Sequence, residues 1–178
     1  MNQNNYTKLR LLNDSKEDYQ KLYKWYKNPK VNTYFEQKEL TLEEIIKKYK
    51  QRTSLGSKTP VFMIEYKQKP IGIIQYTKLT DKTKEKYQVK KEGYDIDIFI
   101  GENKYHHKGI GQTAIKLLID KLLTKNNILI MVPETRNFEA INCYKKLGFS
   151  TTNIIYELDS NNENLQEKIL MIFDCDKA

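Results

Sequence analysis

The sequence predicts an α/β (α+β) fold in a single domain, residues 1–178, with a mixed central β-sheet flanked by helices on both faces. Three observations predict it. The chain of 178 residues has the length of one domain able to bury a sizeable core, and its 39% hydrophobic and 11% aromatic content excludes collagen-like, low-complexity and wholly disordered classes. Apolar residues switch repeatedly between the alternation of a half-buried strand and the three-to-four spacing of a helix face. Capping and turn residues fall between those runs, which gives the order β-α-α-β-β-β-α-β-α-β-β and a mixed sheet.

Taken in order, residues 6–12 alternate as an edge strand. Asp14 or Ser15 can cap a helix running to about Lys27 with the stripe Tyr19, Leu22, Tyr23, Trp25 and Tyr26, and Asn28-Pro29 stops it. Thr41-Leu42-Glu43-Glu44 is a capping box, in which the Thr41 hydroxyl and the Glu44 carboxylate each accept from the other's backbone amide, and a helix follows to about Arg52. Beyond the polar loop Ser54–Thr59, Val61–Tyr66 and Ile71–Lys78 form a hairpin through the turn Lys67-Gln68-Lys69-Pro70. Residues 79–93 hold seven charged side chains between Asp81 and Lys91 and no apolar rhythm, which predicts a mobile excursion before the strand Tyr94–Gly101.

Ala114, Ile115, Leu117, Leu118, Ile119, Leu122 and Leu123 make a broad apolar helix face, ended by Asn126-Asn127. Ile128–Val132 is a short apolar run of the kind a buried central strand shows. Asn137 can cap a helix in which Ala140, Ile141, Tyr144 and Leu147 share a face, with Gly148 as its left-handed C-terminal residue. Strands at about 150–158 and 167–174 flank the loop Asp159–Asn164.

The 31 basic and 23 acidic side chains leave a net charge of +8. A nucleic-acid surface is disfavoured: Arg10, Arg52 and Arg136 are the only arginines, and the lysines are scattered and matched by nearby acids such as Glu43-Glu44 before Lys47-Lys48. The charge divides by position, with 29 basic and 17 acidic groups in residues 1–148 and 2 against 6 in residues 149–178. The polar start Met1–Asn5 has no apolar h-region behind it, and no run nears the roughly 18 apolar residues of a spanning helix, so a cytoplasmic protein without membrane contact is expected. Cys143 and Cys175 cannot form a metal site alone and fit two reduced thiols.

The most informative segment runs from Asp95 through Gly101-Glu102-Asn103-Lys104-Tyr105-His106-His107-Lys108-Gly109-Ile110-Gly111, out of a strand and into a helix. Gly109 and Gly111 allow close backbone approach, and the amides opening the helix are unpaired donors at its positive dipole end, a cradle for a pyrophosphate. Lys108, His106 and His107 add donors. Neither Gly-x-x-x-x-Gly-Lys-Ser/Thr nor a Rossmann glycine triplet occurs, which argues against nucleoside triphosphates and dinucleotides.

With Cys143-Tyr144-Lys145-Lys146-Leu147-Gly148-Phe149 after Asn137, this arrangement resembles the Gcn5-related N-acetyltransferase (GNAT) superfamily over most of the chain. More narrowly, Asp97 to Tyr105 followed by Lys108-Gly109-Ile110-Gly111 is similar to the aminoglycoside 6'-N-acetyltransferase branch, which reads Asp-Gln-Phe-Ile-Gly-Glu-Pro-x-Tyr-Trp-x-Lys-Gly-Ile-Gly. Trp25, Pro29, Val31 and the pair Tyr34-Phe35 lie where that branch has a Trp-bearing helix and an aromatic turn.

The resemblance implies a GNAT-like fold, acetyl-CoA as donor, no metal, and a primary amine as acceptor. It implies that Ile98, Phe99, Ile100, His106, His107, Lys108, Gly109, Ile110, Gly111, Gln112, Asn137 and Tyr144 bind the cofactor. The strand ending at Gly101 would splay from Ile128–Val132 and hold the pantetheine with free amides. Tyr34, Phe35, Asp95 and Asp97 would contact the acceptor. Asp97 matches the carboxylate that takes the amine's proton or holds the ammonium, and Tyr144 the tyrosine that protonates the departing thiolate, groups such chemistry needs. By residue type alone, an Asp on a strand is equally an exposed sheet residue, and a Tyr on a helix face a core residue. Adjacent histidines on an extended loop diverge and have no third ligand at metal spacing, so His106 and His107 fit the phosphate loop better than catalysis.

Three departures bear on the substrate. The branch reads Asp-Pro-x-x-x-Asn where this chain has Val132-Pro133-Glu134-Thr135-Arg136-Asn137, Ile98 replaces the branch's Gln, and His106 replaces its Trp. An aminoglycoside needs an acidic pocket, which Asp95, Asp97, Glu102 and the acidic 149–178 segment could supply. The expectation is an aminoglycoside 6'-N-acetyltransferase of the antibiotic-resistance kind, monomer or homodimer. Another amine (polyamine, peptide N-terminus or amino sugar), or a non-catalytic CoA- or nucleic-acid-binding module, stands as the alternative.

Overall fold

The computed structural model describes residues 6–35, 37–122, 124, 126–159 and 164–177; Leu123 of the expected helix face and Ser160–Glu163 of the expected loop lie outside these. In chain order the elements are β1 (Thr7–Leu11), α1 (Lys16–Tyr26), α2 (Pro29–Asn32), α3 (Leu42–Lys50), β2 (Val61–Tyr66), β3 (Lys69–Lys78), α4 (Asp81–Tyr87), β4 (Glu92–Ile100), a 3-10 turn at Asn103–Tyr105, α5 (Ile110–Leu122), β5 (Asn127–Met131), α6 (Phe138–Lys146), β6 (Ser150–Leu158) and β7 (Leu165–Asp174). They form two compact units, residues up to Gln75 with Ile98–Leu118, and Tyr76–Asp97 with Ile119 onward. β3, β4 and α5 each run from one unit into the other. The strands bond in the order β1-β2-β3-β4-β5-β7-β6, with β4 and β5 parallel and the pairs β1–β2, β2–β3, β5–β7 and β6–β7 antiparallel. This is the expected mixed sheet.

In the first unit, Ser15 caps α1 by accepting from the Asp18 amide, and both bonds of the Thr41–Glu44 capping box form on α3. Asn28-Pro29 ends α1 as expected and also starts α2, with Asn28 as cap and Pro29 in the first turn, where its missing N–H costs nothing. Tyr19, Leu22, Trp25 and Tyr26 of α1 join Ile45 and Tyr49 of α3 against Val61, Met63, Ile73 and Phe99 of the strands. Phe62, Ile64 and Ile74 point to the opposite side and are buried too, so both sheet faces of this unit are covered.

The β2–β3 hairpin is tighter than expected. Tyr66 pairs with Lys69, leaving a two-residue loop in which Lys67 (φ 49°) and Gln68 (φ 63°) are both left-handed, the geometry of a type I′ turn. Neither residue favours that region. Gln68→Gly should therefore raise stability by about 1 kcal/mol, a Tm rise of roughly 2–4 °C in a thermal melt. An unchanged or lower Tm would count against this turn.

In the second unit, Leu79, Tyr87, Ile128, Ile130 and Leu170 form a core with Val89, Val132, Ile155 and Ile172 packed on it. The stretch 79–93, expected as a mobile excursion, instead contains α4. Thr80 caps it through its hydroxyl, Lys84 bonds Asp81 and Glu92, Tyr87 is buried, and Gln88 closes it in the left-handed conformation (φ 54°). Only three apolar anchors, Leu79, Tyr87 and Val89, hold the segment down, too few for a periodic signal. The Asn137 side chain caps α6 as expected, and Gly148 (φ 93°) follows it.

Candidate active site

In the first unit, β4 leads through the 3-10 turn into α5. His107 (φ 58°) and Gly109 (φ 73°) are left-handed, and the Gly109 carbonyl accepts from both the amide and the hydroxyl of Thr113, which seats it at the helix start. Helix geometry leaves the amides of Ile110, Gly111 and Gln112 without intrahelical partners, at the positive end of the macrodipole. A Cβ built on Gly109 or Gly111 would meet no atom within 4 Å, so there is open space beside both. Buried Ile110 anchors the turn, while His107 and Lys108 are exposed, with the Lys108 ammonium 5.8 Å from the Tyr105 ring centroid. Donors, dipole and open space fit a pyrophosphate.

His106 is placed differently from expectation. Its Nε2 lies 2.9 Å from the Ile100 carbonyl, so one ring nitrogen braces the strand end rather than facing a ligand. Phe99 is buried in the core, its ring 4.7 Å from Phe35, 5.7 Å from Tyr26 and 6.1 Å from Trp25. Its side chain is therefore a packing group. Phe35 belongs to the same aromatic cluster, whereas neighbouring Tyr34 is exposed. Ile98 and Ile100 are half-buried. The amides of Gly101 and Glu102 are not free donors, since both donate to the Ile71 carbonyl at 2.7 and 3.2 Å.

In the second unit, the parallel β4–β5 pairing covers Glu92–Asp95 with Asn127–Ile130 and stops short of Asp97. Asp95 is half-buried and Asp97 exposed, two residues apart on one side of β4. Burial, then the charges of Asp97 and Glu157, push the Asp95 carboxyl well above the usual carboxylate range, against the Ile96 amide and Lys168. Tyr144 is 8% exposed, its ring 6.1 Å from Phe149. Burial, with the Cys143 and Asp97 charges behind it, pushes its phenol up, so the hydroxyl keeps its proton through the neutral range. The structure thus brings Asp97 into the electrostatic surroundings of Tyr144 and Asp95. Asn137 uses its side-chain oxygen on the Ala140 amide.

Three acids of the terminal segment, Glu157, Asp174 and Asp176, are paired with lysines and do not offer the free negative charge expected of the segment. Although burial opposes it, Lys86 (2.7 Å) and Lys168 (2.9 Å) hold the Glu157 carboxyl below its usual range, and the Tyr87 hydroxyl donates to it at 3.0 Å. Lys91 sits 2.7 Å from both Asp174 and Asp176. Glu102 is likewise engaged, by Trp25 and Lys24. Glu157 and Tyr87 are the residues that sequence reading missed: Tyr87 lay in the run taken for a loop, and nothing local in 150–158 says that Glu157 faces α4. Among the described residues no group of three or more His, Cys, Asp or Glu could hold a metal, and no helix is long and apolar enough to cross a membrane.

A family model described as an acetyltransferase (GNAT) domain matches residues 14–156. The chain belongs to the GNAT acetyltransferases. It is therefore an acyltransferase, on the fold that solved GNAT structures share with it. AAC(6')-Ib in complex with paromomycin and acetyl-CoA superposes with a TM-score of 0.72 at 17% identity, covering 95% of this chain and 93% of the other. Spermidine N-acetyltransferase from Vibrio cholerae, in complex with CoA and spermine, gives 0.74 at 18%, with 95% of each chain covered. The aminoglycoside N(6')acetyltransferase of Legionella pneumophila gives 0.70 at 18%, covering 97% and 94%. Such identities speak for the GNAT fold alone.

Proposed function

We propose that the protein transfers the acetyl group of acetyl-CoA directly to a primary amine of a cationic small molecule, the 6'-amine of an aminoglycoside in the first instance. The observation that carries the reading is the set of Ile110–Gln112 amides opening onto space beside Gly109 and Gly111 in a chain of the GNAT family. Those amides, with Lys108, would hold the pyrophosphate. Bound acetyl-CoA supplies an activated acyl carbon.

This chain's own residues do the rest. Asp97, exposed on β4, holds the substrate ammonium and takes its proton, which frees the nitrogen lone pair; the N–C bond forms as the C–S bond breaks. Tyr144, protonated through the neutral range, gives its proton to the departing sulfur, and the second proton that the nitrogen sheds as the amide forms passes through solvent to restore the phenol, so no charged thiolate has to leave. Asp95, beside Asp97 and with its carboxyl held well above the usual range, offers the acceptor a polar contact rather than a second charge.

A polyamine is the second reading. Val132 stands where the aminoglycoside branch has Asp, and Glu157 is neutralised by two lysines, so neither position supplies the negative charge a polycationic aminoglycoside would meet. Incubation with acetyl-CoA and kanamycin, tobramycin or spermidine, with the acetylated nitrogen located by NMR, separates the two. Acetylation of kanamycin at the 6'-amine is the expected result. Acetylation of spermidine alone would transfer the assignment to polyamines, and no product from any amine, with CoA bound, would overturn both.

A further inference from the structure

We propose that Trp25, Asn28 and Glu102 are positioning residues for the acetyl donor: they lock the end of β4 from which the pyrophosphate loop departs, and Trp25 reports optically on that loop. The proposal rests on the reading of residues 106–112 as the pyrophosphate site. Where β4 ends, its last backbone groups are held by the neighbouring strand β3 and by the side chains of Asn28, which caps α2, and of His106 in the loop after it. The Ile100 carbonyl faces His106 Nε2 at 2.9 Å, and the Gly101 and Glu102 amides share the Ile71 carbonyl. The Gly101 carbonyl accepts from Asn28 Nδ2 at 3.1 Å, and the same nitrogen lies 2.9 Å from Asn103 Oδ1.

Above this knot lies Trp25. A Cβ on Gly101 would fall 2.1 Å from its Cγ, so the indole is pressed on the Gly101 backbone and only glycine fits there. The indole Nε1–H donates to Glu102 Oε1 at 3.1 Å, and Lys24 approaches the same oxygen at 3.2 Å. The lysine pair is exposed and contributes little. The indole bond to a carboxylate in a half-buried place is the stronger of the two. Trp25, through this bond first, holds the Glu102 carboxyl below its usual range, so the acceptor is charged throughout the working range.

Between the locked Asn103 and the first residue of α5 lie six residues, among them the left-handed His107 and Gly109. The orientation of the loop is set at its two ends, and one of those ends is the Trp25–Glu102–Asn28 bracket. The bracket holds the loop that would carry the pyrophosphate rather than the groups that would touch the amine, so it acts through donor binding. Trp25 is the chain's one tryptophan, so its emission reports a single place.

The test uses the full chain with Glu102→Ala, Glu102→Gln and Trp25→Phe, measured with acetyl-CoA and with S-acetylpantetheine, which lacks the pyrophosphate. Glu102→Ala and Trp25→Phe should raise KM for acetyl-CoA about tenfold with kcat within about twofold, and leave kcat/KM for S-acetylpantetheine unchanged. Glu102→Gln, which keeps an acceptor for the indole, should recover most of the loss. CoA should shift the tryptophan emission of the wild-type protein, and not that of Glu102→Ala. Equal losses with both donors would mean a merely structural role and overturn the proposal, as would an unchanged KM. Absence of CoA binding to the wild-type protein in calorimetry would instead remove the pyrophosphate reading, and the proposal with it.

Discussion

Replacement of Tyr144 by Phe should lower kcat by about 100-fold, roughly 2.7 kcal/mol in the barrier, and leave acetyl-CoA affinity within about twofold. The ring stays, so its tilted contact with Phe149 and the α6 packing persist; only the hydroxyl leaves. Burial is what makes the assignment specific. It raises the phenol above its ordinary value of 10.0, helped by Cys143 and Asp97, so the proton is in place at every pH where the amine is made reactive. An alkaline limb due to Tyr144 should accordingly fall above pH 10 in the wild-type profile. The linkage has the same sign. The folded chain binds this proton more tightly than the unfolded one, so its contribution to stability is complete below the ordinary value and is lost as pH rises beyond it. Tyr144→Phe should flatten that part of the alkaline loss in a denaturation series. Unaltered turnover would show that water or another group protonates the sulfur.

Gly111→Glu should abolish acetyl-CoA binding, weakening it by at least about 100-fold, without unfolding the protein. The substitution introduces a carboxylate in the open space beside the α5 amides, where the pyrophosphate would sit. An acid in the first turn of a helix is favourable for the helix itself, so Tm should hold or rise slightly while binding disappears. Calorimetric titration with CoA beside a thermal melt reads both. Retained affinity would place the phosphates elsewhere, and a collapse of Tm would mean that the space beside Gly111 is not open.

Elements whose signals are local were legible in the sequence. The Thr41–Glu44 capping box, the Asn137 cap, the left-handed Gly148 and β2 at Val61–Tyr66 depend on residues within five positions of each other, and each stands where the pattern put it. Helix α4 was hidden because its stability comes from Tyr87 reaching a core built by β5 and β7, information absent from 79–93 itself. The same segment explains the charge reading. Its lysines Lys86 and Lys91 are the partners of Glu157, Asp174 and Asp176, so half of the six acids in residues 149–178 are matched in space by the basic part of the chain. Of the candidate site, the glycine loop was legible because helix-start chemistry is local. The contact of Asn28 with Gly101, across 73 positions, and the bond from Trp25 to Glu102, across 77, depend on strand placement that no periodicity encodes.

The central claim is that an amine draws the acetyl group from acetyl-CoA on this chain. Continuous measurement of free CoA thiol, with and without kanamycin, tests it most directly. One thiol released per amine acetylated, only when the amine is present, about 100-fold slower in Tyr144→Phe and lost with Gly111→Glu, is the predicted result. No thiol release with kanamycin or spermidine, from protein that binds CoA, would contradict it.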